Sequence, residues 1–452
     1  MTQHSDELLA SLTHALLERA AHHGADAADA IAVKGTSVSI DVRERALEHA
    51  DRSEGADIGL RVFVGQKQAN VSASDISTST IDTMAERAVA MAREAPDDPY
   101  AGLADAADLA KDWDIAALEL SDPGGDPSAE DLQSQALRAE EAARSVAGVT
   151  QVEKAITAFD RRQVHLATSN GFSGGYNRSN FGISVSAICG EGTAMERDYS
   201  GDSRTYAADM RSPEEIGAEA GHRATERVGA RKPPTGAFPV LFDERISASL
   251  IGHLLSAING VSISRGSSWL RDDMGAQVLP KGLSIYENPH RPRAMASRAF
   301  DAEGLATQAR FLVENGVLQS WTLDLATARK LGMTSTANAS RGTKSAPSPS
   351  VTNIELTQGT ASRSDLIAQM GTGLLVTSMI GATINPNTGD YSRGAAGLWV
   401  ENGEITHPVN ECTIAGNLRD MLRDVTPAND ARAHLSRVVP SLLVSGMTIA
   451  GA

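Results

Sequence analysis

Histidine and cysteine side chains are the groups with which this chain could hold a zinc ion. The chain has 11 histidines but no His-Glu-x-x-His or His-Glu-x-x-x-His sequence. His22 and His23 are adjacent, so a helix would point them in different directions. His253 has no second histidine three to five residues further on, and Cys189 and Cys412 lack closely spaced partners. Because a catalytic zinc site needs three protein ligands and an open position, these spacings predict no such site in this chain.

A serine lies in a Gly-x-Ser-x-Gly sequence at residues 171–175, with Ser173 at its centre. A nucleophile elbow of this pattern needs a strand before the serine and a helix directly after it. Residues 176–185 instead alternate in the manner of a strand, and Asn177 and Asn180 disfavour a helix. The pattern therefore indicates a glycine-rich hairpin connection, and leaves an independent serine hydrolase that uses Ser173 as a distant alternative.

Residues 385–397 combine turn-forming and polar residues at unusual density between two apolar segments. Gly389, Gly394 and Gly397 would let the main chain approach another main chain or a ligand closely. Arg393 lies among small residues, where its guanidinium could clamp a carboxylate with two parallel hydrogen bonds. The segment is predicted to be a loop that binds a ligand, and a hairpin loop with a purely structural role is the alternative.

Composition and charge exclude several classes of protein. The 452 residues carry a formal net charge of -16, and the whole acidic excess lies in residues 1–150. Such a chain lacks the basic face that phosphate binding requires, so nucleic acid is not expected as a partner. Neither a leader with basic and apolar regions nor an apolar run of about 18 residues is found, which predicts no secretory signal and no membrane span. The two cysteines fit a reducing compartment, and the expected location is the cytoplasm.

Apolar periodicity predicts the helices and strands that position these segments. Helices are predicted at about residues 5–23, 81–91, 130–146, 213–228 and 246–258. Strands are predicted at residues 30–33, 38–42, 58–64, 164–168, 181–188, 193–207 and 238–242. Residues 95–128 are rich in Pro, Asp and Gly, which predicts a long irregular loop.

Hairpins and a linker complete the predicted organisation. Asn315-Gly316 and Asn402-Gly403 both allow the positive φ angles of a type I′ turn, which predicts two hairpins. Residues 231–236 have the composition of a linker, which predicts an N-terminal domain of residues 1–230 and a C-terminal domain of residues 236–452. Strands and helices do not alternate regularly. The predicted class is therefore α+β, a mixed α/β N-terminal domain followed by a β-rich C-terminal domain with antiparallel sheet.

Several segments together resemble the PmbA/TldE branch of the TldD/TldE protein family. The segment 385–397 carries the resemblance, together with Trp-Val-Glu-Asn-Gly-Glu-Ile at 399–405. Gly-Leu-Arg-Val at 59–62 is similar to the N-terminal hairpin of the family, and residues 346–355 are similar to its proline-rich segment before a strand. Asn417 also fits. The resemblance covers nearly the whole chain.

The resemblance implies a protein that works with a partner. TldD and TldE form a heterodimer that encloses a cavity, and TldD carries zinc on a His-Glu-x-x-x-His motif plus a later cysteine. The pair is a metalloprotease of unfolded or short peptides, associated with maturation of microcin precursors and with antitoxin degradation. The implied fold is again a mixed N-terminal domain followed by a β-rich C-terminal domain.

The metal motif is the point at which this chain departs from TldD. The corresponding helix here, residues 251–258, keeps His253 but lacks the glutamate and the second histidine. The later cysteine of TldD falls near residues 394–396, where this chain has Gly and Ala, and Cys412 lies well past that place in the sequence. The resemblance therefore implies the non-catalytic TldE/PmbA-type subunit, with no metal of its own and with zinc in a TldD-type partner.

The implied role is to close the cavity around the zinc of the partner and to help bind the peptide. An extended peptide could bind by adding a strand to a sheet edge. Asp390, Ser392 and Arg393 are the predicted substrate contacts, and His253 is the predicted vestige of the metal helix. The alternative from another class is a homodimeric peptide-binding or chaperone-like protein without catalysis, which would use the same loop.

Overall fold

The computed structural model describes residues 2–451, with the side chains of residues 7–381 and 383–451. The helices are α1 (Thr2–His22), α2 (Thr78–Glu94), α3 (Ala129–Arg144), α4 (Pro213–Thr225), α5 (Glu244–Ala257), α6 (Gly260–Arg265), α7 (Leu325–Leu331), α8 (Arg363–Met370) and α9 (Leu418–Arg423). The strands are β1 (Ala27–Arg43), β2 (Ala46–Val64), β3 (Lys67–Ala73), β4 (Val149–Thr168), β5 (Ser173–Cys189), β6 (Glu196–Arg204), β7 (Gly236–Phe242), β8 (Ile285–Glu287), β9 (Arg310–Glu314), β10 (Val317–Leu318), β11 (Ala339–Ser340), β12 (Ser348–Pro349), β13 (Ile354–Leu356), β14 (Gly373–Ile384), β15 (Asp390–Glu401), β16 (Glu404–Asn417), β17 (Val425–Pro427), β18 (Arg437–Val438) and β19 (Leu442–Ala450).

The N-terminal sheet has the antiparallel strand order β3-β2-β1-β4-β5-β6. Leu9, Leu12 and Leu16 recur at helical spacing on α1, and they are buried together with α2 against β1 and β2. Helices α3 and α4 cover another part of the sheet, around Phe159 on β4 and Phe181 on β5. The sheet therefore gains its core from two helical pairs.

The two strands predicted at 30–33 and 38–42 are one strand, β1. The polar residues 34–37 between them continue the strand because they pair with β2 on one side and β4 on the other. In the same way β2 begins well before the predicted start at residue 58, and its residues 46–55 are exposed. These segments lack the apolar alternation from which a strand is predicted, so the ladder hydrogen bonds rather than side-chain burial define their extent.

The C-terminal sheet has the order β16-β15-β14-β7-β19-β17, and β16 pairs with β19 as well. Strands β7, β14, β15, β16 and β19 thus close on themselves as a small barrel. β7 runs parallel to β14, and the other pairs in this sheet are antiparallel. Helix α5 packs Leu250, Ile251 and Leu254 into the same core as Phe242 and Trp399. The predicted α+β class is confirmed.

Both predicted Asn-Gly hairpins are confirmed. The φ angles are 48° and 83° at Asn315 and Gly316, and 54° and 79° at Asn402 and Gly403. Residues 95–128 form the predicted long connection, with one short 3-10 turn at Ala116–Leu118. No helix in the described residues is long and apolar enough to cross a bilayer. The division at residues 231–236 stays a prediction.

The Gly-Leu-Arg-Val sequence at 59–62 lies where β2 meets the C-terminal half. A Cβ atom on Gly59 would lie 2.3 Å from the carbonyl oxygen of Thr343, so only glycine allows this close approach. Next to it, Arg61 donates from Nε to Asp29 over 2.6 Å, and Arg341 contacts the same carboxylate from the C-terminal half. A buried ion group therefore joins the two halves of the chain.

Candidate functional site

Helix α5 carries His253, and charged residues at its N-terminus fix its position. Asp243 caps the helix by accepting a hydrogen bond from the main-chain N–H of Arg245 over 3.1 Å. The Arg245 guanidinium lies 3.1 Å from Asp243 and 3.2 Å from Asp198 on β6. All three side chains are largely buried. Because β6 belongs to the N-terminal sheet, Arg245 ties the position of α5 to that sheet.

An Arg245→Ala variant is expected to lose about 2–3 kcal/mol of its free energy of unfolding, since Asp198 and Asp243 stay buried with fewer partners. Other arginines still contact both carboxylates, which limits the loss. Urea denaturation followed by circular dichroism measures the change. Arg271→Ala, which removes an exposed guanidinium, is the matched control and should leave the midpoint unchanged. Equal midpoints for the two variants would contradict the role given to Arg245.

His253 is half-buried on the side of α5 that meets β15. Its ring packs against that of Tyr391, with ring centroids 5.7 Å apart and planes at 73°. The Nε2 atom is buried and has no hydrogen-bond partner among the described residues. Burial lowers the pKa of His253, and the positive charge of Arg393 lowers it further. The imidazole is therefore neutral at pH 7, with one ring nitrogen unpaired by the surrounding chain.

Arg393 follows Tyr391 by two residues on β15, so both side chains lie on the same face of the strand. The Arg393 Nε atom donates to the carbonyl oxygen of Gly381 over 2.7 Å, and the Tyr391 hydroxyl lies 3.3 Å from the sulfur of Met379. Burial raises the pKa of Tyr391 to about 12, although Arg393 acts in the opposite direction. His253, Tyr391 and Arg393 thus form one group, the α5–β15 cluster.

The predicted loop at 385–397 is wrong over most of its length. Residues 385–389 connect two strands, and from Asp390 onwards the chain is β15. Glycines and polar residues favour a loop on sequence alone. They form a strand here because β14 pairs with β15 on one side and β16 pairs with it on the other.

Asp390 and Ser392 lie on the opposite face of β15 from Arg393. Asp390 is exposed and accepts hydrogen bonds from Thr388 Oγ1 at 2.6 Å and from Asn417 Nδ2 at 3.1 Å. These two bonds lower its pKa. Of the predicted contacts, the structure brings only Arg393 together with His253, and a substrate role for Asp390 and Ser392 stays a prediction.

Cys412 lies directly across from Ala395 in the β15–β16 ladder, and its thiol donates to the Ala395 carbonyl over 3.2 Å. Cys412 is far from residues 394–396 in the sequence but beside them in the structure, because an antiparallel hairpin brings the later segment back to the earlier one. Burial raises the pKa of Cys412 to about 11, so the thiol is protonated at pH 7 in the absence of a metal ion. Among the described residues, no group of three or more His, Cys, Asp or Glu side chains is placed to hold a metal ion.

Ser173 is the first residue of β5, in the hairpin that joins β4 to β5. A strand rather than a helix follows it, as predicted. Its neighbour has no signature in the sequence: the Nε2 atom of His165 on β4 lies 3.4 Å from the serine hydroxyl. The two positions are diagonal neighbours in the ladder, and this relation follows only once the register of the hairpin is known.

Three consecutive segments of the chain match the domains of one metallopeptidase family, which makes it a metallopeptidase-like protein. PmbA/TldA metallopeptidase domain 1 matches residues 28–92, the central domain matches residues 122–228, and the C-terminal domain matches residues 235–451. The chain belongs to the PmbA/TldA metallopeptidase family. This confirms the family resemblance that the sequence segments indicate.

Similar proteins match this chain over almost their whole length. Metalloprotease PmbA of Escherichia coli O157:H7 is 36% identical over 434 residues, which are 94% of this chain and 92% of that protein. The Metalloprotease PmbA homolog of Haemophilus influenzae is 36% identical over 443 residues, 96% of this chain and 94% of that protein. The crystal structure of TldE from Thermococcus kodakarensis matches with a TM-score of 0.86 at 18% identity, covering 97% of this chain and 100% of that one. At that identity the structural match establishes the fold alone.

Proposed function

We propose that this chain is the non-catalytic, TldE/PmbA-type subunit of a heterodimeric zinc metalloprotease whose other subunit is of the TldD type. The partner supplies the zinc ion and the hydrolytic chemistry. This chain closes the cavity and helps to hold an unfolded or short peptide. Microcin precursors and antitoxins are the proposed kinds of substrate, and the cytoplasm is the proposed location.

The composition of the α5–β15 cluster is the observation that carries this proposal. Zinc in a catalytic site needs three protein ligands, and this cluster offers one imidazole, that of His253. The guanidinium of Arg393 lowers the pKa of that imidazole, so the same positive charge opposes a dication at this position. The Cys412 thiol is hydrogen-bonded to the carbonyl oxygen of Ala395. The residues present do not fit a zinc ion, so this chain contributes no step of peptide hydrolysis.

The same cluster fits a carboxylate. Arg393 is held by its bond to the Gly381 carbonyl, and a guanidinium fixed in this way suits the planar geometry of a peptide carboxylate. The Nε2 atom of His253 is buried, so the carboxylate contact is assigned to Arg393 alone. The proposed contribution of this chain is therefore to bind the free carboxyl end or an acidic side chain of the peptide.

The test compares bound zinc and peptide hydrolysis for this chain alone, for a TldD-type partner alone and for their equimolar mixture. We expect stoichiometric zinc and cleavage in the mixture, and neither in the isolated chain. A partner whose motif glutamate is replaced by glutamine is the control, and its mixture should be inactive although the complex still forms. Stoichiometric zinc together with cleavage by the isolated chain would contradict the proposal.

Light scattering of the same three samples tests the assembly. A one-to-one complex is expected in the mixture. If this chain instead stays a dimer of itself and binds peptide without the partner, the homodimeric peptide-binding alternative replaces the heterodimer.

A further inference from the structure

Three side chains from three elements form a hydrogen-bonded series on the N-terminal sheet, far from α5 in the sequence. Ser173 Oγ on β5 lies 3.4 Å from Nε2 of His165 on β4. The Nδ1 atom of the same ring lies 2.9 Å from Oγ1 of Thr13 on α1. Thr13 is fully buried, whereas Ser173 is exposed at the start of its strand. The series thus begins at the surface and ends inside the protein.

The donor directions in this series fix the tautomer of His165. Thr13 donates its hydroxyl proton to the carbonyl oxygen of Ala10 over 2.9 Å. Its oxygen is then left to accept a hydrogen bond, which the Nδ1–H of His165 supplies. Nε2 therefore carries the lone pair and faces the hydroxyl of Ser173. This is the arrangement in which a histidine acts as general base toward a serine.

A cavity of about 610 Å³ adjoins His165. Apolar and aromatic side chains line much of it, among them Leu9, Ile115, Leu120 and Tyr206. Such a volume is in the range of small-molecule sites. Polar side chains, among them Glu119, Ser121 and Asn177, line the rest of the cavity. The cavity can therefore hold a small apolar group next to the imidazole.

Main-chain N–H groups are available on the side of β5 that faces away from β4. The N–H of Thr168 donates to the carbonyl of Phe172 over 2.9 Å, which marks that pair as hydrogen-bonded. Since bonded and non-bonded pairs alternate in an antiparallel ladder, the N–H groups of Ser173 and Gly175 point away from β4. Strand β6 begins to pair with β5 only at Phe181, so it does not cover them. Gly175 also lines the cavity, so its N–H is the donor that we assign to the oxyanion.

Ser173 does not line this cavity, but its hydroxyl lies 3.4 Å from His165, which does. We propose that Ser173 and His165 form a nucleophilic dyad that accepts acyl groups from small activated carboxylic esters whose apolar part enters the cavity. This activity is separate from peptide hydrolysis by the assembled pair. The Ser173 oxygen adds to the ester carbonyl carbon while its proton moves to Nε2 of His165. The tetrahedral oxyanion collapses, the bond to the leaving oxygen breaks, and the imidazolium returns the proton to that oxygen. Water then attacks the acyl-serine with His165 as base again, which releases the carboxylic acid and restores the serine.

The surroundings of His165 define which esters react. Burial lowers its pKa to about 4, with a further lowering by His14, whose ring centroid is 6.1 Å away. The other titratable groups at the cavity are Glu7, Glu119, Tyr176 and Tyr206. A base of this pKa is already deprotonated at pH 7 but accepts a proton weakly, and the third group is a threonine rather than a carboxylate. Esters with good leaving groups are therefore the expected substrates.

The experiment uses the full chain with diisopropyl fluorophosphate and p-nitrophenyl acetate. We expect one covalent adduct, located by peptide mass spectrometry at Ser173, and none in Ser173→Ala. His165→Gln should lower the rates of labelling and of ester hydrolysis about 100-fold, the usual contribution of a general base. Ser37→Ala, an exposed serine on β1, is the matched control and should keep the wild-type rates.

The pH profile supplies a readout that does not depend on a variant. With a pKa of about 4 the labelling rate at pH 5 should stay at about nine-tenths of its value at pH 8, whereas an ordinary histidine would leave about one-thirtieth. An adduct on another residue, an unchanged rate in folded His165→Gln, or a fall in rate centred near pH 6.5 would each overturn the dyad.

Discussion

An Arg61→Ala variant is expected to lose about 3 kcal/mol of its free energy of unfolding at pH 7. Arg61 and Asp29 are 5% and 1% exposed, so the variant leaves a carboxylate in the interior with one partner fewer. Arg341 still contacts Asp29, which places the expected loss at the lower end of the range for a broken buried ion pair. Urea denaturation of the variant and the wild type measures the difference.

The loss of unfolding free energy in Arg61→Ala should become smaller at low pH, because it depends on the charge of Asp29. Burial acts to raise the pKa of Asp29, but Arg341 and Arg61 outweigh it and the pKa is lowered. A carboxyl group whose pKa is lowered by folding stabilises the protein above its unfolded pKa, and this contribution is lost as the pH falls through the folded pKa. The gap between Arg61→Ala and the wild type should therefore narrow below about pH 3.9.

Arg52→Ala, on the exposed part of the same strand, is the control and should change the free energy of unfolding by less than about 0.5 kcal/mol. A loss in Arg61→Ala that is equal at pH 7 and pH 3 would show that packing rather than charge is responsible.

Elements with one apolar face could be predicted from the sequence, and elements without one could not. The helices with buried leucines and the two Asn-Gly hairpins are predictable because burial and positive φ angles leave a local signal. The outer part of β2 has exposed side chains on both faces, so its strand structure depends on hydrogen bonds to β1. The closure of the barrel by β16 and β19 likewise depends on pairing between distant segments.

The candidate site likewise has features that the sequence predicts and features that it does not. His253 on α5 and Arg393 on β15 could be singled out by residue type and by family resemblance. Their meeting around Tyr391 depends on how the helix packs on the barrel, which no local pattern encodes. The contact of Ser173 with His165 depends on hairpin register, and that of His165 with Thr13 on the docking of α1. The sequence thus shows which residue types are present, whereas the fold determines which of them lie side by side.

Arg393→Ala is expected to lower kcat/KM of the assembled pair by about tenfold to a hundredfold for a short peptide with a free carboxyl end. The reason is that a hydrogen bond to a charged group is worth about 1.5–3 kcal/mol, and each 1.4 kcal/mol is about a factor of ten. If Arg393 binds the peptide equally in the ground state and the transition state, KM rises and kcat is unchanged. Steady-state cleavage of a fluorogenic peptide by the mixture measures both constants.

A matched peptide that ends in an amide and has no acidic residue separates two roles of Arg393, binding of the peptide carboxylate and support of the protein structure. Against it, the wild-type pair should already lack the contact, so Arg393→Ala should change kcat/KM little, and the two changes together form a double-mutant cycle. Arg393→Lys should recover part of the loss for the free acid, because a single charge remains while the paired geometry of the guanidinium is lost. An equal loss for the acid and the amide would mean that Arg393 acts by holding β14 through Gly381, and the carboxylate contact would then have to be abandoned.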